Sequence, residues 1–530
     1  AAEDLERFRA RRGHSPEVIL QSGDGGARIV YGKPFFYALA IAPLVRVLGE
    51  RGATLANAIA LAIAALLSAR ALTRRGEKWG PLWIAVALFA SVTFGHVYWI
   101  HPDLFLMACT ACGLALAHLL RSPPPSAAAR VPSGRFALAW GVAGALLVVP
   151  GAWRPPYLLL LVPGLYLALG ADRSARARST IAFVAGAALL AVVCVGGQEL
   201  VSGNWSPYGG ERRGFSDLEG FPGVDFPAAE WSQRVEGKGN TSWLGDETLE
   251  VSESPSLAGW NLAYLVAGRT VGLLPYFLPA LVAPLRRRNS RSTRIEVVVG
   301  LVIPFALMLL RPFNFYGGAG AVANRYFLPV FPLFWFGGAG LVRCLATTVV
   351  AAPFVLPLWL APAAYPIVPG EGYRYVSEAA LRLLPVETTQ RHVKAEGRPD
   401  VLIGDLWVRF LDGGLTVEPG AAADTLVLAP DRAAEILVGR ASPLTGVVIE
   451  ALDDPPTPLR ATGPGTTEPS AASPKLILRF ERATARHPMW WTDDDFWLYR
   501  IEIEATAAPG GSVPLRLRPI VDGVDTMASP

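Results

Sequence analysis

Charge is scarce in this chain of 530 residues: 17% are Asp, Glu, Lys or Arg, against about 25% in an average soluble protein. A purely soluble enzyme is therefore excluded. So is a disordered chain, which needs more charge and fewer apolar residues. Cysteine is nearly missing, with four in all: Cys109, Cys112, Cys194 and Cys344. All four lie in apolar runs, which excludes a disulfide scaffold. Cys109 and Cys112 form a C-x-x-C, but inside a hydrophobic run they read as small packing residues. Histidine is rare too. The six (His14, His96, His101, His118, His392, His487) have no metal-ligand spacing, so no cofactor or metal is expected. The chain begins with Ala1.

Apolar residues take the place of the missing charge, at 52% of the chain. They are unevenly spread. Up to about residue 366 the chain is a series of apolar runs broken by short Arg-rich or Pro/Gly-rich pieces; beyond that it reads as soluble protein. The net charge of +4 divides accordingly. Residues 371–530 hold 16 basic and 23 acidic residues, and the rest hold 32 and 21. A basic membrane half points to cytoplasmic Lys/Arg loops, and an acidic soluble half argues against nucleic acid as a partner.

A helix needs about 20 apolar residues to cross a bilayer, fewer when its flanks snorkel. Runs near 54–72, 80–98, 103–120, 136–151, 155–170, 179–199, 262–285, 295–311, 326–343 and 346–365 predict ten spans. The break at Arg154-Pro155-Pro156 is where a turn belongs. With simple alternation, Arg70, Arg74, Arg75 and Lys78, then Arg121, Arg130 and Arg135, then Arg173, Arg176 and Arg178, then Arg286 to Arg294, then Arg343 all fall on one side. The positive-inside rule makes that side cytoplasmic. The N-terminus, the His96–Asp103 turn, a large loop 200–260, the 311–325 loop and the C-terminal domain are then external. Residues 33–49, interrupted by Pro43 and Arg46, predict a helix lying in the outer interface. The expected fold is thus an all-α polytopic membrane domain over 54–366. It is preceded by an external segment 1–53 and followed by a soluble, mostly-β domain over 371–530.

External basic residues run against the positive-inside trend, so they call for a reason. Lys33 stands in Tyr31-Gly32-Lys33-Pro34-Phe35. Arg212 and Arg213 follow Gly209-Gly210-Glu211, and Arg325 stands in Asn324-Arg325-Tyr326, after Tyr316-Gly317-Gly318. A lipid-linked phosphate is one reason: Arg forks bind it bidentately and glycine backbone approaches it closely. The plain alternatives are an interfacial anchor for Lys33, headgroup snorkelling for Arg325 and a simple turn for the glycines. In His101-Pro102-Asp103, Pro and Asp also suit the start of a helix. Nearby Tyr31, Tyr98, Trp99, Trp205, Tyr208, Tyr316 and Tyr326 fit an interface belt or sugar stacking.

In order along the chain, SPEVILQSGDGGARIVYGKPFFYALAIAPLVRVLG, HVYWIHPDLFLMACTACGLAL, GNWSPYGGERRGF, GRTVGLLPYFLPAL and FNFYGGAGAVANRYFLPVFPLF resemble loops and spans of the GT-C superfamily of membrane glycosyltransferases. Within it, the resemblance is to the dolichyl-phosphate-mannose–protein mannosyltransferase-like (glycosyltransferase family 39-like) bacterial proteins. The resemblance covers most of residues 15–335. It implies transfer of a sugar from a polyprenyl phosphate to a hydroxyl of a glycan, lipid or protein, on the extracytoplasmic face of a bacterial plasma membrane. It also implies that Lys33 holds the donor phosphate, assisted by Arg325, Arg212 and Arg213. His101, Tyr316, Asn324 and Tyr326 would line the substrate, and Asp103 would support catalysis. The family's catalytic acidic motif belongs behind a first span, ahead of the Lys-Pro. Here only Glu3, Asp4, Glu17 and Asp24 precede Lys33, and none follows a span. The expectation is that a span carrying the base lies upstream of Ala1.

After a helical piece (YVSEAALRLL), the C-terminal domain shows β-type runs VLIGDL, LTVEP, DTLVLA, TGVVIEAL, KLILRF, WLYRIEIEA and VPLRLRPIV, spaced as in a β-sandwich. Asp493-Asp494-Asp495 reads as a solvated turn. Two other functional classes stay open. A transporter or flippase for lipid-linked saccharides would show repeats and mid-membrane charges; a non-catalytic envelope scaffold would need neither.

Overall fold

A computed structural model describes residues 5–6, 9–10, 18–22, 28–121, 133–206, 211–215, 220–230, 255–268, 270–285, 290–312, 315–317, 323–360, 378–385 and 387. Beyond these it describes 401–403, 406–410, 415–417, 425–429, 433–440, 444–463, 466–467, 472–480, 485–488, 495–506, 512–521 and 524–525. Gly209, Gly210, Gly318, Asp493 and Asp494, and the acidic residues Glu3, Asp4, Glu17 and Asp24, lie outside the described residues.

The order of elements is β1 (Val18–Ser22), β2 (Ile29–Tyr31), α1 (Phe36–Leu48), α2 (Glu50–Arg74), α3 (Gly80–Phe89), α4 (Pro102–Arg121), α5 (Ser133–Trp153), α6 (Leu161–Leu169), α7 (Arg173–Ser202) and β3 (Glu211–Phe215). Then come α8 (Pro255–Ala267), α9 (Leu273–Tyr276), α10 (Leu278–Val282), α11 (Arg291–Leu310), α12 (Leu341–Leu360) and α13 (Glu378–Leu383). Among the described residues thirteen strands follow: β4 (Val401–Ile403), β5 (Leu406–Phe410), β6 (Leu415–Val417), β7 (Thr425–Leu428), β8 (Ala434–Arg440), β9 (Gly446–Ala451), β10 (Leu459–Thr462), β11 (Thr466–Thr467), β12 (Lys475–Phe480), β13 (Ala485–Pro488), β14 (Asp495–Ala505), β15 (Val513–Val521) and β16 (Val524–Asp525). The chain divides into two compact units. One holds Ala1–Leu249, Phe277–Arg311 and Arg325–Ala352; the other holds Glu250–Tyr276, Pro312–Asn324 and Pro353–Pro530.

Among the described residues, five helices in the first unit are long and apolar enough to cross a membrane: Arg51–Arg74, Pro102–Arg121, Gly134–Trp153, Ala175–Ser202 and Arg291–Leu310. Four of the other five expected spans coincide with shorter or interrupted helices, and the fifth, near 346–365, overlaps the 20-residue α12. After α3, Ser91 caps a 3-10 turn (Val92–Val97) by accepting the Thr93 N–H. Pro155 opens a second such turn before α6. Pro329 and Pro332 sit in a third, Leu328–Gly337. Proline and tight turns explain the shortening, since each removes or redirects a backbone hydrogen bond.

Glycine lets these helices touch. A Cβ on Gly144 of α5 would stand 2.1 Å from the Phe183 carbonyl oxygen of α7, and one on Gly186 would stand 2.0 Å from that of Gly141. Without side chains here the two backbones approach closely, the usual basis of membrane helix association. α4 is the most enclosed of the five, with 72% of its central window buried; α7 has 17%. The apolar side chains that α7 leaves uncovered, such as Ile181, Leu189, Val192 and Leu200, suit lipid.

β1 pairs antiparallel with both β2 and β3. This small sheet packs Leu20 and Ile29 against Phe215, Phe221 and Phe226. Arg9 forks onto Asp225 at 2.8 and 2.6 Å and so ties the N-terminal residues to the loop that follows β3.

In the second unit, Glu387 accepts the backbone N–H of Val271 at 2.9 Å, and the Asn261 amide donates to the Pro312 carbonyl at 2.9 Å. Its C-terminal part is β-rich. One antiparallel sheet has the order β10-β14-β8-β5-β4, and the other has β11-β12-β9-β15-β7-β6. Alternating residues of both sheets, including Val408, Ile436 and Ile501 from one and Leu426, Ile449 and Leu515 from the other, form one apolar cluster.

Candidate functional site

The site is built around Asp103, the second residue of α4. Its side chain is wholly buried, and an ionised carboxylate there needs partners. Oδ1 lies 3.3 Å from Nη1 of Arg154, at the end of α5. Oδ2 lies 2.7 Å from Nδ1 of His101 and 4.0 Å from Nε of Arg325. His101 Nε2 in turn faces Arg325 Nη1 at 3.1 Å. A guanidinium only donates, so Nε2 is the acceptor and the ring proton sits on Nδ1, toward Asp103. The Nδ1 approach is oblique, a charge–dipole contact more than a straight hydrogen bond. Desolvation pushes the His101 imidazole down to about 4, against the upward pull of Asp103. At neutral pH the ring is therefore uncharged.

Aromatic rings enclose these charges. Trp99 stacks on His101 with centroids 4.8 Å apart. Arg325 lies over Trp99 at 5.4 Å and Arg154 over Tyr326 at 3.9 Å. Such faces favour a cation, more so when it is desolvated. Tyr157, on the turn after Arg154, donates its hydroxyl to the Tyr326 carbonyl at 2.7 Å. The 154–157 turn thus grips residue 326 by ring and by backbone.

Lys33-Pro34 leads into three consecutive aromatic residues that dock α1. Phe35 meets Gly197 of α7, where a Cβ would stand 2.6 Å from its ring. Phe36 meets Trp153 edge-on at 5.6 Å, and Tyr37 meets Phe105 at 5.9 Å. The Tyr37 hydroxyl donates to Asn57 Oδ1 at 3.3 Å, and the Asn57 amide donates to the carbonyls of Val97 and Trp99. The segment carrying Lys33 is thereby held to the same end of α4, α5 and α7 as Asp103 and Arg154.

Of the residues singled out in the sequence, the fold brings His101, Asp103, Arg325 and Tyr326 together. Lys33 reaches the same end through its aromatic neighbours. Arg213 is in β3, opposite Leu20, whose other neighbour is Tyr31; Arg212 is opposite Gln21. Tyr316 and Asn324 are buried in the second unit. Arg154 was read only as a turn before two prolines. Yet alternation puts it on the external side, so the criterion that marked Lys33 and Arg325 marks it too.

At the far end of α4, His118 Nε2 meets Glu296 Oε1 of α11 at 2.7 Å, both buried. Arg75 donates to Thr293 Oγ1 and to the Phe336 carbonyl beside them. Among the described residues, no group of three or more His, Cys, Asp or Glu is placed to hold a metal ion. No protein-family model, curated protein or solved structure matches this chain.

Proposed function

We propose that the chain is a membrane glycosyltransferase that moves a sugar from a polyprenyl phosphate to a hydroxyl acceptor, at the extracytoplasmic face of a bacterial plasma membrane. The single observation that carries this reading is the buried constellation of Asp103, His101, Arg154 and Arg325, enclosed by Trp99 and Tyr326. Two guanidinium groups against one carboxylate, with a neutral imidazole, leave one net positive charge at the membrane end of α4. Ionisable groups at such depth mark sites where a charged substrate is handled. A phosphodiester carries the matching single negative charge.

In the proposed reaction the acceptor oxygen attacks the anomeric carbon while its proton passes to a general base, and the bond to phosphate oxygen breaks with its electron pair leaving on the phosphate, with inversion. Lys33 and Arg325, with Arg212 and Arg213 assisting, offset the charge that grows on the leaving phosphate. Preorganised donors of this kind commonly contribute about 3 kcal/mol each. Asp103 has a supporting role, since its oxygens already face Arg154, His101 and Arg325. The proposal includes ten spans with their basic loops in the cytoplasm, and a β-sandwich outside.

The test is sugar release from a polyprenyl-phosphate donor by the full protein in membranes. Lys33→Ala and Arg325→Ala are each expected to abolish it. Normal turnover in both variants overturns the phosphate assignment.

A further inference from the structure

We infer that Arg154 is a positioning residue that keeps Arg325 available to an anion by competing with it for the Asp103 carboxylate. The inference rests on the reading of Arg325 as a donor-phosphate ligand. Three observations carry it. Arg154 occupies Oδ1 of Asp103 at 3.3 Å, while the Arg325 Nε stops 4.0 Å short of Oδ2. The Arg325 guanidinium is held back by His101, which takes one of its N–H groups, and by the face of Trp99. Arg154 itself is 4% exposed and its guanidinium carbon lies 3.9 Å from the centre of the Tyr326 ring. It is thus built into the wall, whereas the Arg325 side chain retains 18% exposure.

The arrangement separates two tasks. Arg154 neutralises the carboxylate, and Arg325 keeps its charge for a ligand. If Arg154 loses its charge, the buried carboxylate stands without its nearest cation. Arg325 needs to move about 1 Å to form a direct ion pair with it, whose normal contact is about 2.8 Å. The net charge of the cluster then falls from +1 to zero, and the phosphate loses its cation. If Asp103 loses its charge instead, both arginines stay cationic and the cluster rises to +2.

The two neutralising substitutions are therefore expected to act on anion binding with opposite signs, although both break the same buried pair. The experiment uses the full chain in lipid nanodiscs and reads the Kd for polyprenyl phosphate of defined chain length, alongside the unfolding midpoint. Arg154→Met is expected to weaken binding roughly tenfold or more, as Arg325→Ala does. Asp103→Asn is expected to tighten it. Both are expected to lower the unfolding midpoint. Arg154→Lys, which retains the charge, is expected to keep most of the affinity.

A purely structural pair would weaken binding in parallel with the loss of stability in both variants, and that result overturns the inference. So does undiminished binding in Arg154→Met when Arg325→Ala has lost it. Unchanged affinity in Arg325→Ala and Lys33→Ala would instead remove the donor-phosphate reading itself, a separately visible outcome.

Discussion

At the scale of residues, the site is a set of charges whose protonation is fixed by neighbours. His101 faces Trp99, Asp103, Arg154 and Arg325, and it is uncharged in the folded protein down to about pH 4. An unfolded histidine takes its proton near pH 6.5. Below that pH the unfolded chain binds a proton that the folded chain does not, so the contribution of His101 to stability falls as pH drops from about 6.5 to about 4 and then levels. The unfolding midpoint measured against pH is expected to show this decline, and His101→Gln is expected to lessen it without abolishing it, because His96 is buried as well. A stability curve that stays level in the parent protein would remove the neutral-imidazole assignment. The Asp103→Asn change leaves Arg154 buried without its counterion, a loss that costs about 3–5 kcal/mol in buried pairs. Asp103, His101 and Arg325 were legible because an external charge beside an apolar run is conspicuous. Arg154 was not, because Arg-Pro-Pro satisfies the description of a turn so fully that its charge goes unasked about.

At the scale of elements, close helix approach depends on a few glycines whose importance differs sharply with position. Gly144 faces the Phe183 carbonyl, and backbone is slow to yield. Gly196 of α7 has open space where a Cβ would go. Gly144→Ala is therefore expected to destabilise by about 1–3 kcal/mol, whereas Gly196→Ala is expected to gain up to about 1 kcal/mol from helix propensity. Thermal unfolding in detergent decides between them, and equal effects would refute the close α5–α7 contact. The boundaries at Pro102 and Pro155 were readable, but the caps at Ser91 and Ser290 were not, and the run 80–98 hid the end of α3 at Phe89. The docking of Phe35, Phe36 and Tyr37 was not readable either. Each ring meets a helix more than 60 residues away in sequence, so local patterning says only that α1 is amphipathic.

At the scale of the molecule, apolar periodicity located the helical and β-rich parts, but not the way the units interleave. Strands β4, β6, β7, β9, β12, β14 and β15 fall in the runs that were apolar and bounded by turn residues, whereas β5 shares only its first residue, Leu406, with VLIGDL. β8 was missed, although it pairs with both β5 and β14. Its AEILVGR begins with two helix-favouring residues and ends in Gly-Arg, which blurs the alternation. Segments Glu250–Tyr276 and Pro312–Asn324 join the second unit through contacts such as Glu387 to Val271, which no local pattern announces. Orientation is a property of the whole chain and is testable directly. With the native cysteines replaced, Trp205→Cys is expected to react with a membrane-impermeant thiol reagent in intact cells, and Ser174→Cys only after permeabilisation. The reverse pattern would invert the proposed topology.

The two polar contacts of α4 set a length. Fifteen residues separate Asp103 from His118, which at 1.5 Å per residue is about 22 Å along the helix. The hydrocarbon core of a typical bilayer is about 30 Å thick. With a polar cluster pinned at each end, α4 cannot slide to adjust its register, and tilt shortens its reach further. On the proposed topology, a bilayer whose edges meet both clusters thins around this helix, at a cost of fractions of a kcal/mol per Å of mismatch. Under the proposed function, a phosphate that meets Arg325 then sits below the level of the surrounding headgroups, and lipid thickness becomes a control on how easily it gets there.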